Sequence, residues 1–131
     1  MNEKLRILVV DDDHMMAKTL VDIFRVKGLA AEAAYSGPEA LEKVKKQRFD
    51  CILTDIKMPE MNGVELYRAI KEVQPDPTIV LMTAYSTDTL VTEGMEEGAV
   101  ATLTKPLDVN LLLNFFDSLR MERTIAIVDD D

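Results

Sequence analysis

Five short apolar runs alternate with five helix-like stretches along this chain, and that alternation constrains the fold more than any other feature. "LRILVV" (Leu5–Val10) is dense in Ile, Leu and Val, as expected of a strand buried on both faces. "AAEAAY" has poor strand propensity, because Ala adds little to a pleated surface, and takes its place as a strand from the alternation. "CILT", "TIVLMT" and "AVATLT" supply the third, fourth and fifth strands. Between them, Asp13 can cap a helix whose Met16, Leu20 and Ile23 share one face, with Gly28 just past its end. Ser36 with Glu39, and Asn62 with Glu65, have capping-box spacing. Leu41 and Val44 follow the first pair; Leu66, Ile70 and Val73 follow the second. Ser86 or Thr87 starts a short fourth helix that ends near Gly98, and the fifth helix runs from Pro106 to about Met121. Strands that alternate with helices need crossovers, so the expectation is a parallel sheet covered on both faces.

Composition narrows the function. A chain of 131 residues that is 47 % hydrophobic suits one domain with a substantial core. A net charge of -9 argues against direct nucleic acid binding, which needs a basic face, and suits a cation or a basic partner. The single cysteine, Cys51, sits in an apolar run and reads as a buried thiol. No apolar run reaches membrane-spanning length and the N-terminus lacks a signal peptide's apolar core, so a cytoplasmic protein with no membrane contact is expected.

Ligands of open parallel sheets sit beyond the carboxyl ends of the strands. Asp11 and Asp12 follow the first strand, Asp55 the third and Lys105 the fifth, while Thr83 closes the fourth. Three carboxylates brought together repel unless some protonate or a cation enters. A hard divalent ion, Mg²⁺ before Ca²⁺, is the natural solution. Lys105 and the Thr83 hydroxyl can address an anion's oxygens, and one carboxylate can attack phosphorus to give an aspartyl phosphate. Taken singly, each residue is more simply a cap or a turn; their placement at four different strand ends is not.

The stretches "ILVVDDD", "ILTDIKMPEMNG", "LMTAY" and "TLTKPLD", in this order and at these spacings, resemble the receiver domain of two-component response regulators. The resemblance covers residues 4–121. It implies a flavodoxin-like, doubly wound (βα)5 fold with strand order 2-1-3-4-5. It implies that Asp55 accepts a phosphoryl group from a histidine kinase or phosphotransfer protein. Asp12, Asp55 and the backbone carbonyl of Lys57 are then Mg²⁺ ligands, with Asp11 acting mainly through water. Thr83, the Ala84 amide and Lys105 become the phosphate-binding and switch groups, with Pro106 in a cis bond. Lys57 and Tyr85 fall at the two positions that tune the phosphate's lifetime.

Two departures matter. Thr102 stands where the family usually carries Tyr or Phe; either the output is differently wired, or Tyr85 supplies the moving ring. Leu111 and Phe115 exceed what the inward stripe Leu112, Leu113, Phe116 and Leu119 needs. They mark either a wider buried face or a contact patch on the face of helix four, strand five and helix five, where receivers commonly dimerise. His14 reads as a surface residue of the first helix, and Lys45–Arg48 as a solvated helix end.

Two other functions compete. A haloacid-dehalogenase-like phosphatase also needs a D-x-D, which Asp11 and Asp13 supply, but Met15 stands where that family has Thr or Val. A pseudo-receiver is disfavoured by the full set of acidic, Thr and Lys residues. Finally, "TIAIVDDD" (Thr124–Asp131) repeats "RILVVDDD" (Arg6–Asp13) at five of eight positions. Either this tail adds to a sheet edge or a neighbouring chain, or it opens a second receiver; the repeat favours the latter, so residues 1–121 are expected to form the domain, and residues 122–131 a linker and the truncated start of a second receiver.

Overall fold

The computed structural model describes residues 4–85 and 88–129, the last seven of these as backbone only. They form strands β1 (Arg6–Val10), β2 (Ala30–Ala34), β3 (Cys51–Asp55), β4 (Ile79–Thr83) and β5 (Ala101–Thr104). These alternate with helices α1 (His14–Val26), α2 (Gly37–Lys46), α3 (Gly63–Val73), α4 (Thr89–Glu97) and α5 (Val109–Asp129). All strand pairings are parallel and the order is β2-β1-β3-β4-β5, as expected.

The two-residue period of the strands divides the core. On β1, Ile7 and Val9 face α1 and α5 with Cys51, Leu53, Val80 and Met82. Leu8 and Val10 face the opposite layer with Ile52, Ile79 and Leu81, packing on Leu66, Tyr67 and Ile70. Phe24 and Phe116 meet edge to face at 5.1 Å between α1 and α5. Cys51 is fully buried and free, and burial pushes its thiol far above the ordinary range.

The caps follow the sequence with informative exceptions. Asp13 accepts from the Met16 amide at 3.1 Å. Asn62 and Glu65 complete a full capping box. Ser36 caps α2, but Glu39 reaches back one residue further, to the Tyr35 amide at 2.8 Å, so the second half of that box is not made. Ser86 and Thr87 lie outside the described residues; Asp88 caps α4. Val73, expected to face inward, is 40 % exposed, while Val64 and Tyr67 are buried in α3 beside Leu66 and Ile70. His14 is exposed and stacks on Tyr35 with ring centroids 4.0 Å apart.

Helix α5 does not stop near Met121 but continues to Asp129. Thr124–Asp129 are therefore helical, although their likeness to β1 suggests a strand. A strand needs a neighbour for its backbone hydrogen bonds, whereas a helix satisfies its own. Asp130 and Asp131 lie outside the described residues. No helix among the described residues is long and apolar enough to cross a membrane.

Gly63 fixes the approach of α3 to the end of β3. A Cβ there would lie 2.5 Å from the Asp55 carbonyl oxygen and 3.0 Å from the Ile56 Cα. In an ordinary helix Gly→Ala stabilises by about 1 kcal/mol. Here Gly63→Ala is expected to destabilise by about 1–3 kcal/mol, because backbone must move. Urea unfolding checks this, and a gain in stability contradicts the close approach.

Candidate functional site

The carboxyl ends of β1, β3, β4 and β5 place four of the five expected side chains around one acidic cluster, with the fifth turned aside. The β1 chain leaves the sheet as the Asp11 amide donates to the Ala34 carbonyl at 3.1 Å. Asp11 is fully buried. Its Oδ1 accepts from the Asp13 amide at 3.0 Å, and its Oδ2 accepts from Lys105 Nζ at 2.9 Å. Asp12 is exposed beside it. Asp55 ends β3 at 9 % exposure, with its carbonyl accepting from the Thr54 hydroxyl at 3.0 Å.

Lys105 arrives after β5, its amide donating to the Thr83 carbonyl at 2.8 Å, and its bond to Pro106 is cis. The ammonium bridges two strand ends: besides Asp11 it meets Asp55 Oδ2 at 3.3 Å. Carboxylate oxygens of Asp11, Asp12 and Asp55 lie within 4.8 Å of one another. An all-oxygen set of this charge suits a hard divalent cation.

The electrostatics agree with that chemistry. The Asp55 carboxyl is pushed up to about 6, first by burial, then by the charge of Asp11. The charge and hydrogen bond of Lys105 pull it back only partly, and Asp12 raises it further. Burial alone lowers the Lys105 ammonium, but its bonds and charges with Asp11 and Asp55 together outweigh that and raise it.

The remaining expected residues have other surroundings. Thr83 is buried, and its hydroxyl donates to the Tyr85 carbonyl and accepts from the Tyr85 amide, both at 3.0 Å. Ala84 is exposed, and Tyr85 is 67 % exposed. Lys57 turns its ammonium to Asp88 Oδ2 at 2.9 Å, 6.0 Å from the centre of the Tyr85 ring. Asp88 was not legible as part of this surrounding; its position before "TLV" fits a helix cap, but its pairing with Lys57 requires the folded loops. Thr102 is half-buried, and its hydroxyl donates to Met95 Sδ at 3.2 Å. Leu111 is 53 % exposed, whereas Phe115 is half-buried against the core.

Comparison with known proteins gives a consistent picture. The family model described as "Response regulator receiver domain" matches residues 7–117. The chain is 41 % identical over 125 residues to the transcriptional regulatory protein ZraR of Klebsiella oxytoca, covering 95 % of this chain and 27 % of that protein. It is 36 % identical over 110 residues to the sporulation initiation phosphotransferase F of Bacillus subtilis (strain 168), covering 84 % of this chain and 87 % of that protein. A crystal structure of a response regulator receiver domain protein (CheY-like) from Methanospirillum hungatei JF-1 matches with a TM-score of 0.84 at 28 % identity. That match covers 93 % of this chain and 98 % of the other. The chain thus spans about a quarter of the ZraR relative's length and most of the Bacillus protein's.

The raised Asp55 carboxyl carries a stability signature. Its folded value, about 6, exceeds the ordinary value of 3.8, so the folded state holds this proton more tightly than the unfolded chain does. Stability from this group is complete below about pH 4 and is lost as pH rises through 6. In chelator-containing buffer, Asp55→Asn is therefore expected to match wild type near pH 4 and to be about 1–2 kcal/mol more stable at pH 7, allowing for solvent screening. Denaturant unfolding across that window measures it; a constant or reversed difference contradicts the raised value.

Proposed function

We propose that this chain, which belongs to the family of response regulator receiver domains, accepts a phosphoryl group on Asp55 and converts it into a conformational signal. The observation that carries this reading is the Lys105 ammonium spanning Asp11 and Asp55 at the rim where Asp12 adds a third carboxylate. Receiver domains are signalling modules rather than enzymes acting on a separate substrate. The chemistry assigned here is confined to phosphoryl transfer onto Asp55 and its self-catalysed loss.

In the transfer, an Asp55 carboxylate oxygen attacks the phosphorus of a phosphohistidine on a histidine kinase or phosphotransfer protein. The O–P bond forms as the P–N bond breaks, and the electron pair returns to the imidazole. Lys105 supplies a point charge to the phosphoryl oxygens, and the Ala84 amide and the Thr83 hydroxyl supply donors. Thr83 must first give up its two bonds to Tyr85. Asp12, Asp55 and the Lys57 carbonyl would hold Mg²⁺, with Asp11 beside them bonded to Lys105. The ion supplies charge neutralisation on the transferring group. Lys57 and Tyr85 flank the path of attacking water and set the phosphate's lifetime.

The module works in the cytoplasm, without membrane or direct nucleic acid contact. Residues 122–131 are a linker and the start of a second receiver repeat, a reading that the repeated motif supports although Thr124–Asp129 continue α5 here, and that the parent gene tests. A homodimer forms through α4, β5 and α5. Leu111, Phe115, Leu112, Ala101, Leu103 and Val80 line a wholly apolar hollow of about 170 Å³ there.

Incubation with acetyl phosphate and Mg²⁺ is expected to add one phosphoryl group to wild type by intact mass, and none to Asp55→Asn. Equal labelling of both removes Asp55 as acceptor, and no adduct on wild type favours a pseudo-receiver. For the dimer, Leu111→Glu with Phe115→Arg is expected to abolish self-association of the phosphorylated chain in analytical ultracentrifugation. An unchanged sedimentation profile with a native circular dichroism spectrum removes this interface.

A further inference from the structure

Lys57, which flanks the path of water to the acceptor, makes a charged contact of its own beside the acidic cluster. Lys57 stands two residues after Asp55, yet its ammonium pairs with Asp88 Oδ2 at 2.9 Å. The Lys57 side chain is 64 % exposed, whereas that of Asp88 is only 10 % exposed. The other Asp88 oxygen, Oδ1, accepts from the Leu90 amide at 2.9 Å and so caps α4. A single carboxylate therefore holds both the first turn of α4 and the cation of the acceptor's own loop.

Helix α4 is lightly anchored in a way that makes this contact matter. Gly94 is its one buried residue among those described. Its far end is tied to α3 by charge, with Arg68 meeting Glu93 and Glu97, and Lys71 meeting Glu97 at 2.6 Å. On the β5 side there is no aromatic ring to carry a movement; Thr102 spends its hydroxyl on Met95 of α4. Two described links join the acceptor's surroundings to the start of α4: the Asp88 amide donates to the Tyr85 carbonyl at 3.2 Å, beside Thr83, and the Asp88 carboxylate holds the Lys57 ammonium, the link that starts two residues from Asp55.

We propose that Asp88 is a positioning residue that holds Lys57 off the acceptor, and that a phosphoryl group on Asp55 competes for the Lys57 ammonium and so uncouples the first turn of α4, still capped by Asp88, from the acceptor's loop. The inference rests on Asp55 being the phosphoryl acceptor. A phosphoryl group brings roughly −1.5 to −2 charges at neutral pH, against the single charge of Asp88. An ion pair with one solvated partner is weak, so the competition is readily tipped. The four-carbon stem of lysine is flexible enough to change partners within one loop. Asp88 remains well placed without its cation, because a carboxylate at a helix N-terminus is favoured by the helix dipole.

Asn caps a helix as well as Asp does, so Asp88→Asn keeps the start of α4 and loses the charge. Beryllofluoride, a mimic of the acyl phosphate, is added with Mg²⁺ to the whole chain as wild type, Asp88→Asn, Lys57→Gln and the double variant. Amide NMR spectra follow Leu90 and Val91. In wild type these signals are expected to move, and in both single variants to move less than half as far. The phosphorylated Asp55 is expected to last several-fold longer in Asp88→Asn, where the freed Lys57 covers the phosphorus. It is expected to be shorter-lived in Lys57→Gln, and the double variant should match Lys57→Gln. A wild-type-sized response at α4 in both single variants, or additive lifetimes in the double, overturns the relay. If wild type gives no response even at Lys105 and Thr83, the acceptor reading itself fails and takes the relay with it.

Discussion

Everything at the functional rim depends on one ammonium placed between carboxylates that repel each other. Lys105 lies 94 residues from Asp11 and 50 from Asp55, yet bonds to both. Only the parallel sheet makes that meeting possible, because it points every strand's carboxyl end the same way. The order β2-β1-β3-β4-β5 puts β1 beside β3, so the two acidic strand ends are neighbours. Lys105 is then anchored through its backbone to the end of β4. The compensation is incomplete, as the elevated Asp55 carboxyl records. That residual repulsion gives a divalent cation its reason to bind and leaves Asp55 a stronger base than a solvated aspartate.

The fold was legible where burial is simple. Strands such as Ile7–Val10 and Ile79–Met82 are buried on both faces, so continuous apolar runs announce them. β2 is the exception: its Ala-rich sequence carries no strand signal of its own, and pairing with β1 makes the strand. The acidic cluster and Lys105 were legible because strand ends are fixed points of the architecture. What the sequence left open belongs to loops and helix ends. Glu39 chose the Tyr35 amide over that of Ser36, a difference of one residue that spacing rules do not resolve. The Thr83 hydroxyl turned to the Tyr85 backbone, because a local side-chain bond competes with any longer reach. The partnership of Lys57 with Asp88 joins two loops 31 positions apart, and no local pattern encodes it.

The acidic rim and the outer side of α4 and α5 differ in character. Around Asp55 the contacts are polar and fixed by backbone: Gly63 lies against the Asp55 carbonyl, and Thr54 bonds to it. Around α4 and the outer side of α5 the contacts are fewer, with exposed Met95, Val100 and Leu111. Low local burial is the physical signature of an element that can be repositioned at small cost. A backbone-fixed rim beside a lightly held helix suits the proposed role, in which modification at one place is read at another.

Asp55 is the proposed site of phosphorylation. Borohydride reduction of the phosphorylated chain converts an aspartyl phosphate to homoserine, and peptide sequencing by mass spectrometry then locates it. Homoserine is expected at position 55, with Asp11 and Asp12 unchanged. Homoserine at Asp11 or Asp12 with Asp55 intact would contradict it.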